Sequence, residues 1–594
     1  MFRRVLFIYL AVLLVFLTYG CRKRVEGLQS AVEVAGPDIS VAGLEIVAIN
    51  DFHGGLYEIP VKGKAGRAAG GLPWLASAFD HIRSEVGDAL LVLDGGDMFQ
   101  GSSAVNASRG MGSVEAMKLL GIDASVIGNH EFDYGGADGH PDALRGALTS
   151  AISASPFFLL SANISGGSPE SEWPPSGLKP WVIIERAGYR IGVIGLTTRD
   201  TPTTTVPERV KDLVFADPSE VLVRELPLMD AEGVDFVVVL GHLTGTCNAS
   251  EGEAPCEFDG EIGEILGLPD SVLERVGLMI TGHSHKPMIE KRRGIWVLQS
   301  HSSGRSLTRT RLVSNSSGQL IVEEKPVRWY LEHASADPGC EGGEFPMTAL
   351  EVGGVELAPS RAALDLIDSL EAANPRPSCE ILGCASGAIL RSSDSESALG
   401  DMVTDILRDA FPGAVAGIQN SGGLRVDILK ERLSREDVES IMPFENYAYL
   451  VEMPGFDLRR LLQISGTGKH GILQVSGIEY SIARGCNNPS DITGDGVVEP
   501  WENDCLCDVK VGGSDLDPSA VYPVVVNSFL YDGGDSMVGI FDRSRILERG
   551  PVIKSVIESY VSGKDGCVKA SDYYDEARPR IRIVDGCGDS KLLP

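Results

Sequence analysis

Short runs rich in valine, isoleucine and leucine recur through the first half of this 594-residue chain. Runs of four to eight apolar residues bounded by glycine are typical of buried strands, and the helical spacing of Gly112–Leu120 lies between two of them. Alternation of this kind favours an α/β architecture built in layers. The predicted strands are Leu44–Ile49, Ala89–Leu93, Ala124–Ile127, Tyr189–Leu196, Val234–Leu240 and Gly277–Ile280.

Five of these strands are followed by side chains that can bind metals or move protons. After the first strand, a period of two places Asp51 and His53 on one side. Because ligands collect at the carboxyl ends of strands in α/β sheets, residues far apart in sequence are expected to meet there. The other strand ends supply Asp97, Asn129, His130, His242, His283 and His285.

The donor types at these strand ends predict a metal centre. One Asp-x-His or His-x-His pattern alone is weak evidence, because a lone histidine is more often structural, whereas five such strand ends together are specific. Seven oxygen and nitrogen donors are enough for two sites that share a carboxylate. The lack of sulfur donors favours Zn, Mn, Fe or Co over a structural zinc finger.

The chain carries, in order, the motifs NDFHG, GGD, GNHEFDYG, GH and GHSH. This series resembles the calcineurin-like metallophosphoesterases and, among them, the exported 5'-nucleotidase family. The resemblance implies an N-terminal calcineurin-like β-sandwich flanked by helices and a C-terminal α/β substrate-binding domain of the 5'-nucleotidase type. It also implies two divalent transition-metal ions as cofactors.

The resemblance also assigns a role to each strand-end residue. The implied ligands are Asp51, His53, Asp97 and His285 for one metal and Asp97, Asn129, His242 and His283 for the other. His130 corresponds to a catalytic histidine that is not a ligand, and Asp133 is placed to orient its ring. Two metals would generate hydroxide for in-line attack on phosphorus, and cationic His130 would stabilise the charge that develops.

Motifs in the second half of the chain extend the same resemblance. They are NSGGLR, PFEN, and NSF followed by GGD. The resemblance implies that Phe444 and Phe529 sandwich a nucleotide base and that Asp535 accepts hydrogen bonds from ribose. It also implies that Asn420 contacts the base and that Arg425 pairs with phosphate or ribose.

One position departs from this family pattern. Relatives carry an arginine seven residues before the glycine of Leu399-Gly400-Asp401, where this chain has Ser393. Arg391 lies two residues earlier. The sequence leaves open which residue contributes to phosphate or ribose binding there.

Composition and the N-terminus bear on partners and location. A net charge of -31 disfavours binding to a nucleic acid polymer, since an acidic surface repels the phosphate backbone. Arg3 and Arg4 precede the apolar run Val5–Leu17, which predicts a signal peptide over residues 1–21. Cleavage and release, or lipid attachment at Cys21 and thereby to a bacterial membrane, are both consistent with it. The chain is expected in the periplasm or at the cell surface, and no protein partner is predicted.

The remaining sequence divides into four predicted segments. Residues 22–43 form a tether, 44–330 the metallophosphoesterase domain, 331–375 a connector with a helix at Arg361–Ala373, and 376–594 the C-terminal domain. Ten cysteines follow Cys21, an even number that favours disulfides in an exported chain. The expected pairs are Cys247–Cys256, Cys379–Cys384, Cys486 with Cys505 or Cys507, and Cys567–Cys587.

An insertion at residues 486–507 contains a second pattern of oxygen donors. The spacing and its central glycine match a calcium-binding EF-hand loop, although its flanks lack clear helices. The alternative interpretation is an acidic loop that is closed by disulfides and binds no calcium. The predicted calcium ligands are Asp491, Thr493, Asp495, Val497, Glu499 and Glu502.

These features together predict an exported enzyme that releases phosphate from nucleotides, with nucleoside 5'-monophosphates as the expected substrates. On the same scaffold, hydrolysis of 2',3'-cyclic nucleotides, nucleotide sugars or sulfur compounds is an alternative, although the phenylalanine pair favours a substrate with a base. A non-catalytic surface module that binds nucleosides is a second alternative, and a calcium-stiffened structural lipoprotein is a third. The presence of all the metal ligands together with His130 counts against a non-catalytic protein.

Overall fold

The structure is a computed structural model. It describes residues 43–587 apart from 63, 65, 137–142, 169–170, 172, 248–255, 336–348, 375–378, 430, 495 and 499–501. The predicted signal peptide with Cys21, nearly all of the tether, and the calcium-loop residues Asp495 and Glu499 therefore lie outside the described residues. Within the described part, no helix has the length and apolar character needed to cross a membrane.

Two mixed sheets form the centre of the N-terminal domain. In the first sheet, Leu44–Ile49 runs parallel to Leu90–Asp94 and antiparallel to Ser306–Ser314. Its strands, in order across the sheet, are Leu320–Val322, Ser306–Ser314, Leu44–Ile49, Leu90–Asp94, Ala124–Val126 and Phe158–Leu160, and Val327–Tyr330 also pairs with Ser306–Ser314. The order across the second sheet is Met288–Arg292, Ile295–Gln299, Leu278–Gly282, Phe236–His242, Tyr189–Thr197 and Trp181–Arg186.

The two sheets pack face to face, with helices on their outer faces. Ile46 and Ala48 lie in the apolar core between the sheets, and Val47 and Ile49 face the helices outside the first sheet. This alternation explains why the strand is apolar at nearly every position, because both of its faces are buried. The helices of this domain are Leu72–Val86, Ser103–Ala107, Met111–Leu120, Gly146–Ala154, Thr201–Thr204, Pro218–Ala231, Gly260–Leu266 and Asp270–Leu273.

One helix leads from this domain to the next, and several small sheets lie around the two domains. The helix Arg361–Ala373 begins at Ser360, whose side chain accepts from the backbone N–H of Ala363, and it packs against the first domain through Ile367. Its predicted bounds are confirmed. The small sheets comprise Ile59–Pro60, Arg67–Ala69 and Glu332–Ala334; Ile164–Gly166 with Leu213–Phe215; Leu350–Val352 with Val355–Leu357; and Ile381–Cys384 with Arg432–Ser434.

A five-stranded sheet with apolar clusters on both faces forms the core of the C-terminal domain. Its strands, in order, are Leu473–Ser476, Ala416–Asn420, Val521–Asn527, Tyr447–Pro454 and Arg545–Val552. A second sheet contains Ser514–Asp515, Leu506–Val511, Ile478–Ala483 and Ile581–Val584. The helices are Ala398–Ala410, Arg435–Ile441, Gly455–Thr467, Ser528–Tyr531 and Ile553–Gly563. The predicted two-domain α/β architecture is confirmed.

The disulfides correct two of the predicted pairings. Cys247–Cys256 and Cys486–Cys505 are present as expected. Cys384 instead pairs with Cys567, and Cys507 pairs with Cys587, so the predicted Cys379–Cys384 and Cys567–Cys587 bonds are wrong. Proximity in sequence misleads here because the end of the chain folds back onto the start of the C-terminal domain.

Candidate metal and catalytic centre

The predicted metal ligands meet at the carboxyl ends of the strands in both sheets. The structure places Asp51, His53 and His285 in one group and Asp97, His242 and His283 in another, and the ligand atoms within each group lie within 4.8 Å of one another. A third group overlaps them and contains His53, Asp97 and His130. The Oδ1 atom of Asn129 completes the second group, 3.1 Å from Nε2 of His242 and 3.0 Å from Nδ1 of His283.

The ring orientations show that this donor set fits metal ions. The Nδ1–H of His242 donates to the carbonyl of Gly95 at 2.9 Å, which turns Nε2 toward Oδ2 of Asp97 at 3.0 Å. His53 is held in the same way by the carbonyl of Phe99 at 3.1 Å, and its Nε2 lies 3.0 Å from Nε2 of His285. With Nδ1 of His242 and of His53 committed to a backbone carbonyl, Nε2 of each ring is the nitrogen left to bind a cation, as in metal-ligating histidines. Nitrogen and carboxylate donors of this kind suit Zn, Mn, Fe or Co.

The charges in the centre keep its acidic ligands ionised, which creates a negative field suited to a cation. Burial raises the pKa of Asp51, but the electrostatic and hydrogen-bond interactions with His285, together with the charge of His242, outweigh it and hold the pKa well below the usual range. Burial together with the charge of His242 lowers the pKa of His283 to about 4, so its ring is neutral. Although burial opposes it, the carboxylate of Asp97 raises the pKa of His242 to about 10. A metal ion drawn by that negative field would displace the proton.

Five of the seven proposed ligands have left-handed backbone conformations. Their φ angles are 48° at Asp51, 46° at His53, 56° at Asp97, 87° at His283 and 56° at His285. Such values are uncommon outside glycine and cluster at functional sites, where the surrounding structure enforces them. The sharp turns at the strand ends therefore aim these side chains inward.

His130 and Asp133 form a hydrogen-bonded pair beside the metal ligands. Nδ1 of His130 lies 2.5 Å from Oδ2 of Asp133, and the His130 and His53 ring centroids are 5.1 Å apart. Burial disfavours the charged ring, but the carboxylates of Asp133 and Asp97 prevail and raise the pKa of His130. The pair can therefore present an imidazolium to a phosphoryl group.

The proposed substrate residues form two groups on the C-terminal domain, and the first group contains Asn420, Asp535 and Phe529. Asn420 ends one strand and donates to Oδ2 of Asp535 at 2.9 Å, and its own Oδ1 accepts from Asn527 at 2.9 Å. The ring of Phe529 lies against Gly534, where an added Cβ would come within 2.4 Å of it. Asn420, Asp535 and Phe529 are thus parts of one strand-end cluster.

Phe444 and Arg425 bring the C-terminal domain next to the metal ligands. The rings of Phe444 and His130 are 6.3 Å apart, and the guanidinium of Arg425 lies 5.8 Å from the centre of the Phe444 ring. Burial lowers the pKa of Arg425, and the charge of Arg391 lowers it further. Ser393 bonds to its exposed neighbour Asp394.

The insertion loop is pinned to the C-terminal domain. Both carboxylate oxygens of Asp491 accept backbone N–H groups, from Gly494 at 2.6 Å and from Gly496 at 3.0 Å. Glu502 is fully buried and accepts from the backbone of Ile492 and Thr493 at 3.0 and 2.8 Å. Two carboxylates at the ends of the loop thus fold its backbone inward. Val497 of the same loop is 56% exposed.

Supporting residues of the metal centre went unrecognised in the sequence. Glu131 accepts from the backbone of Asp97, Phe99 and Gly128 at 2.7 to 3.1 Å, and Asn50 donates to Asp51 at 2.6 Å. Both lie inside the metal motifs NDFHG and GNHEFDYG, and that position was the signal available in the sequence.

Comparisons with known proteins agree with this geometry. Residues 44–287 match the calcineurin-like phosphoesterase family, and residues 379–542 match the 5'-nucleotidase C-terminal domain. A solved 5'-nucleotidase precursor from Thermus thermophilus has the same fold, with a TM-score of 0.71 and 22% identity over 91% of this chain and 99% of that one.

Two curated proteins show similarity over most of this chain. Endonuclease YhcR of Bacillus subtilis is 23% identical over 90% of the chain, and cell wall protein Lmo0130 of Listeria monocytogenes is 26% identical over 90%. The chain spans 42% of the length of YhcR and 69% of that of Lmo0130. With both domain families matched in order, the chain belongs to the calcineurin-like phosphoesterases that carry a 5'-nucleotidase C-terminal domain, a family of phosphoric ester hydrolases.

Proposed function

We propose that the protein is an exported, metal-dependent phosphohydrolase that converts nucleoside 5'-monophosphates to nucleoside and phosphate. The observation that carries the proposal is the placement of Phe444, a candidate base-stacking ring, 6.3 Å from the ring of His130. A substrate stacked there would have its phosphate near the metal ligands. The similarity to a protein named 5'-nucleotidase supports the same substrate class.

Each part of the centre has a role in this reaction. Two divalent cations held by the seven ligands would lower the pKa of water and neutralise the phosphoryl oxygens, which favours in-line attack by hydroxide on phosphorus. His130 would stabilise the charge on the phosphoryl group, with Asp133 fixing its ring. Arg425 would pair with phosphate or ribose, and Arg391 would take the part of the arginine that relatives carry at the position of Ser393.

The C-terminal residues would bind the nucleoside. Phe444 and Phe529 would stack on the base, which every base allows through its π-face. Asp535 would accept hydrogen bonds from ribose hydroxyls, and Asn420 would contact the base. Hydrolysis of 2',3'-cyclic nucleotides or nucleotide sugars would use the same residues, so the choice among these phosphoesters has to be measured.

Phosphate release with added Mn or Zn tests the proposal. Suitable substrates are AMP, 2',3'-cyclic AMP, UDP-glucose and p-nitrophenyl phosphate. We expect AMP to give the highest kcat/KM, and we expect His130→Ala to lower kcat about 10² to 10⁴-fold. His81→Ala, on the distant helix Leu72–Val86, serves as the matched control. Activity on the aryl phosphate alone would exclude the nucleotide substrate, and no metal-dependent release would exclude the enzyme.

We also propose that the insertion loop binds Ca²⁺ through Asp491, Thr493, Asp495, Val497, Glu499 and Glu502. The inward carboxylates of Asp491 and Glu502 support this assignment. Calorimetry should show calcium binding to the whole chain that Asp491→Asn abolishes, while Asp515→Asn, on an exposed strand, leaves it intact. Equal calcium binding by the two variants would reject the site.

Export is the third element of the proposal. The N-terminal sequence and the similarity to a cell wall protein support it. Lipid attachment at Cys21 would anchor the enzyme at a bacterial membrane. Fractionation of expressing cells should place the wild-type chain outside the cytoplasm, and Cys21→Ala would release it into the soluble fraction only if Cys21 is lipidated.

A further inference from the structure

A threonine-rich turn lies between the catalytic residues and the C-terminal domain. The strand Tyr189–Thr197 ends beside the metal ligands, since Thr197 pairs with His242 in the sheet. The chain then forms the short helix Thr201–Thr204 and reaches Thr205. We call residues 198–205 the threonine turn. Its backbone is closed by hydrogen bonds of its own, including that from the N–H of Thr205 to the carbonyl of Thr201 at 3.1 Å.

Thr205 fixes the carboxylate of Asp133, and that carboxylate in turn bonds to the ring of His130. Its hydroxyl donates to Oδ1 of Asp133 at 3.0 Å, and Oδ2 of the same carboxylate lies 2.5 Å from Nδ1 of His130. Thr205 is only 1% exposed, so water does not compete readily for this bond. With both of its oxygens engaged, the carboxylate has one orientation, and it passes that orientation to the imidazole.

Thr204, the residue before Thr205, fixes the side chain of the proposed metal ligand Asn129. The side-chain amide of Asn129 donates to the carbonyl of Thr204 at 3.0 Å. Since its nitrogen is held in this way, the amide oxygen points toward His242 and His283, where a metal ligand is required.

The other side of the turn contacts the C-terminal domain. The backbone N–H of Asp535 donates to the carbonyl of Thr203 at 2.7 Å. In addition, Nζ of Lys469 lies 3.4 Å from Oδ1 of Asp200. Thus consecutive residues of one turn contact the proposed ribose-binding residue, a metal ligand and the catalytic pair.

We propose that the threonine turn couples docking of the C-terminal domain to the geometry of the catalytic centre, with Thr205 as a positioning residue for Asp133 and His130. The inference rests on the proposed function, which supplies the roles of His130 and Asp535. In the docked arrangement of the structure, Asp535 and Lys469 contact Thr203 and Asp200 of the turn, and Thr204 and Thr205 hold Asn129 and Asp133.

The first test removes the hydroxyl of Thr205 while keeping the shape of the side chain. We expect Thr205→Val to lower kcat 10- to 100-fold on both AMP and p-nitrophenyl phosphate, with KM changed less than twofold. Thr205→Ser should restore kcat to within threefold of wild type. The matched control is Thr404→Val in the helix Ala398–Ala410, which loses a buried hydroxyl that donates to the carbonyl of Gly400 at 2.9 Å. Equal kcat values for Thr205→Val and Thr404→Val would overturn the positioning role.

The second test weakens the contact between the turn and the C-terminal domain. Asp200→Asn removes the charge that faces Lys469 but keeps the side-chain size. We expect kcat to fall three- to tenfold on both AMP and p-nitrophenyl phosphate, because the turn sets Asn129 and Asp133 for either substrate. An unchanged kcat on both substrates, or a change in KM for AMP alone, would overturn the coupling.

Failure of the proposed function gives a different result. If wild type hydrolyses p-nitrophenyl phosphate but not AMP, the nucleotide assignment is wrong. The comparison of Thr205→Val with Thr205→Ser on the aryl phosphate would still decide the role of Thr205.

Discussion

At the scale of single residues, the contacts of the centre converge on Asp97. Its Oδ2 faces His242 at 3.0 Å and His53 at 3.8 Å, and its Oδ1 accepts from the backbone of His130 at 2.9 Å. The residue itself has a left-handed backbone that Glu131 supports by accepting its N–H. A displacement of this one carboxylate would therefore disturb both proposed metal sites.

Gly128 is the residue that leaves room for Asp97. A Cβ at Gly128 would lie 2.2 Å from Oδ1 of Asp97, which is shorter than any permitted contact. We expect Gly128→Ala to lower bound metal, measured by mass spectrometry of the purified protein, and to lower kcat at least about 100-fold, as loss of a catalytic orientation does. Gly563→Ala is the control because nothing lies within 4 Å of its Cβ position. Full metal content in Gly128→Ala would contradict the steric argument.

Asp535 predicts a pH dependence that is specific to nucleotides. Burial raises the pKa of Asp535 to about 7, although the hydrogen bond from Asn420 opposes this. The ionised form, which accepts ribose hydroxyls strongly, is thus populated as the pH rises through 7. The ratio of kcat/KM for AMP to that for p-nitrophenyl phosphate should increase several-fold between pH 6 and 8. The ratio should stay flat in Asp535→Asn, and a parallel rise in that variant would assign the titration elsewhere.

At the scale of elements, the helix Ala398–Ala410 contains a buried acid. Burial raises the pKa of Asp401 to about 9, with the Arg580 guanidinium, 3.7 Å away, opposing the shift and Glu396 adding to it. The folded state therefore keeps a proton that the unfolded chain releases near pH 4, so this residue makes the free energy of unfolding fall as the pH rises from about 4 to 9.

Asp401→Asn should remove that penalty. At pH 8 we expect the variant to be more stable than wild type by at least about 1.4 kcal/mol, the equivalent of one pKa unit. The difference should shrink toward pH 4, where the acid is protonated in both states. Melting temperatures across this pH range provide the measurement, and Asp409→Asn on the exposed side of the same helix is the control. A stability difference that does not vary with pH would refute this interpretation.

Comparison of the elements shows what the sequence could predict and why. Strands such as Leu44–Ile49 were predictable because both faces are buried and nearly every residue is apolar. The position of proposed ligands such as His283 was predictable because they directly follow such strands. The role of Thr205 was not predictable, since its partner Asp133 lies 72 residues away and threonine carries no chemical signature of positioning. The left-handed backbone of Asp97 was not predictable for a related reason. It depends on Glu131 and Gly128, which are distant in sequence and meet Asp97 only in the folded structure.

At the scale of the whole molecule, disulfides link parts of the C-terminal domain that are far apart in sequence. Cys384–Cys567 spans 183 residues, whereas Cys247–Cys256 spans 9. If a disulfide stabilises the protein by restricting the unfolded chain, the longer loop contributes about 5 kcal/mol to the free energy of unfolding and the shorter about 3 kcal/mol. We expect the double variant Cys384→Ser/Cys567→Ser to lose more stability to denaturant than Cys247→Ser/Cys256→Ser. The reverse order would show that local packing, rather than loop length, determines the contribution of each bond.

The seven proposed metal ligands are divided between the two sheets of the N-terminal domain. Four follow strands of the first sheet, and His242, His283 and His285 come from the second. The centre is therefore complete only after both sheets have been synthesised and have packed together. A chain exported before it folds would be loaded with metal on the far side of the membrane. The ions available in that compartment, rather than those of the cytoplasm, would then determine which metal the enzyme carries.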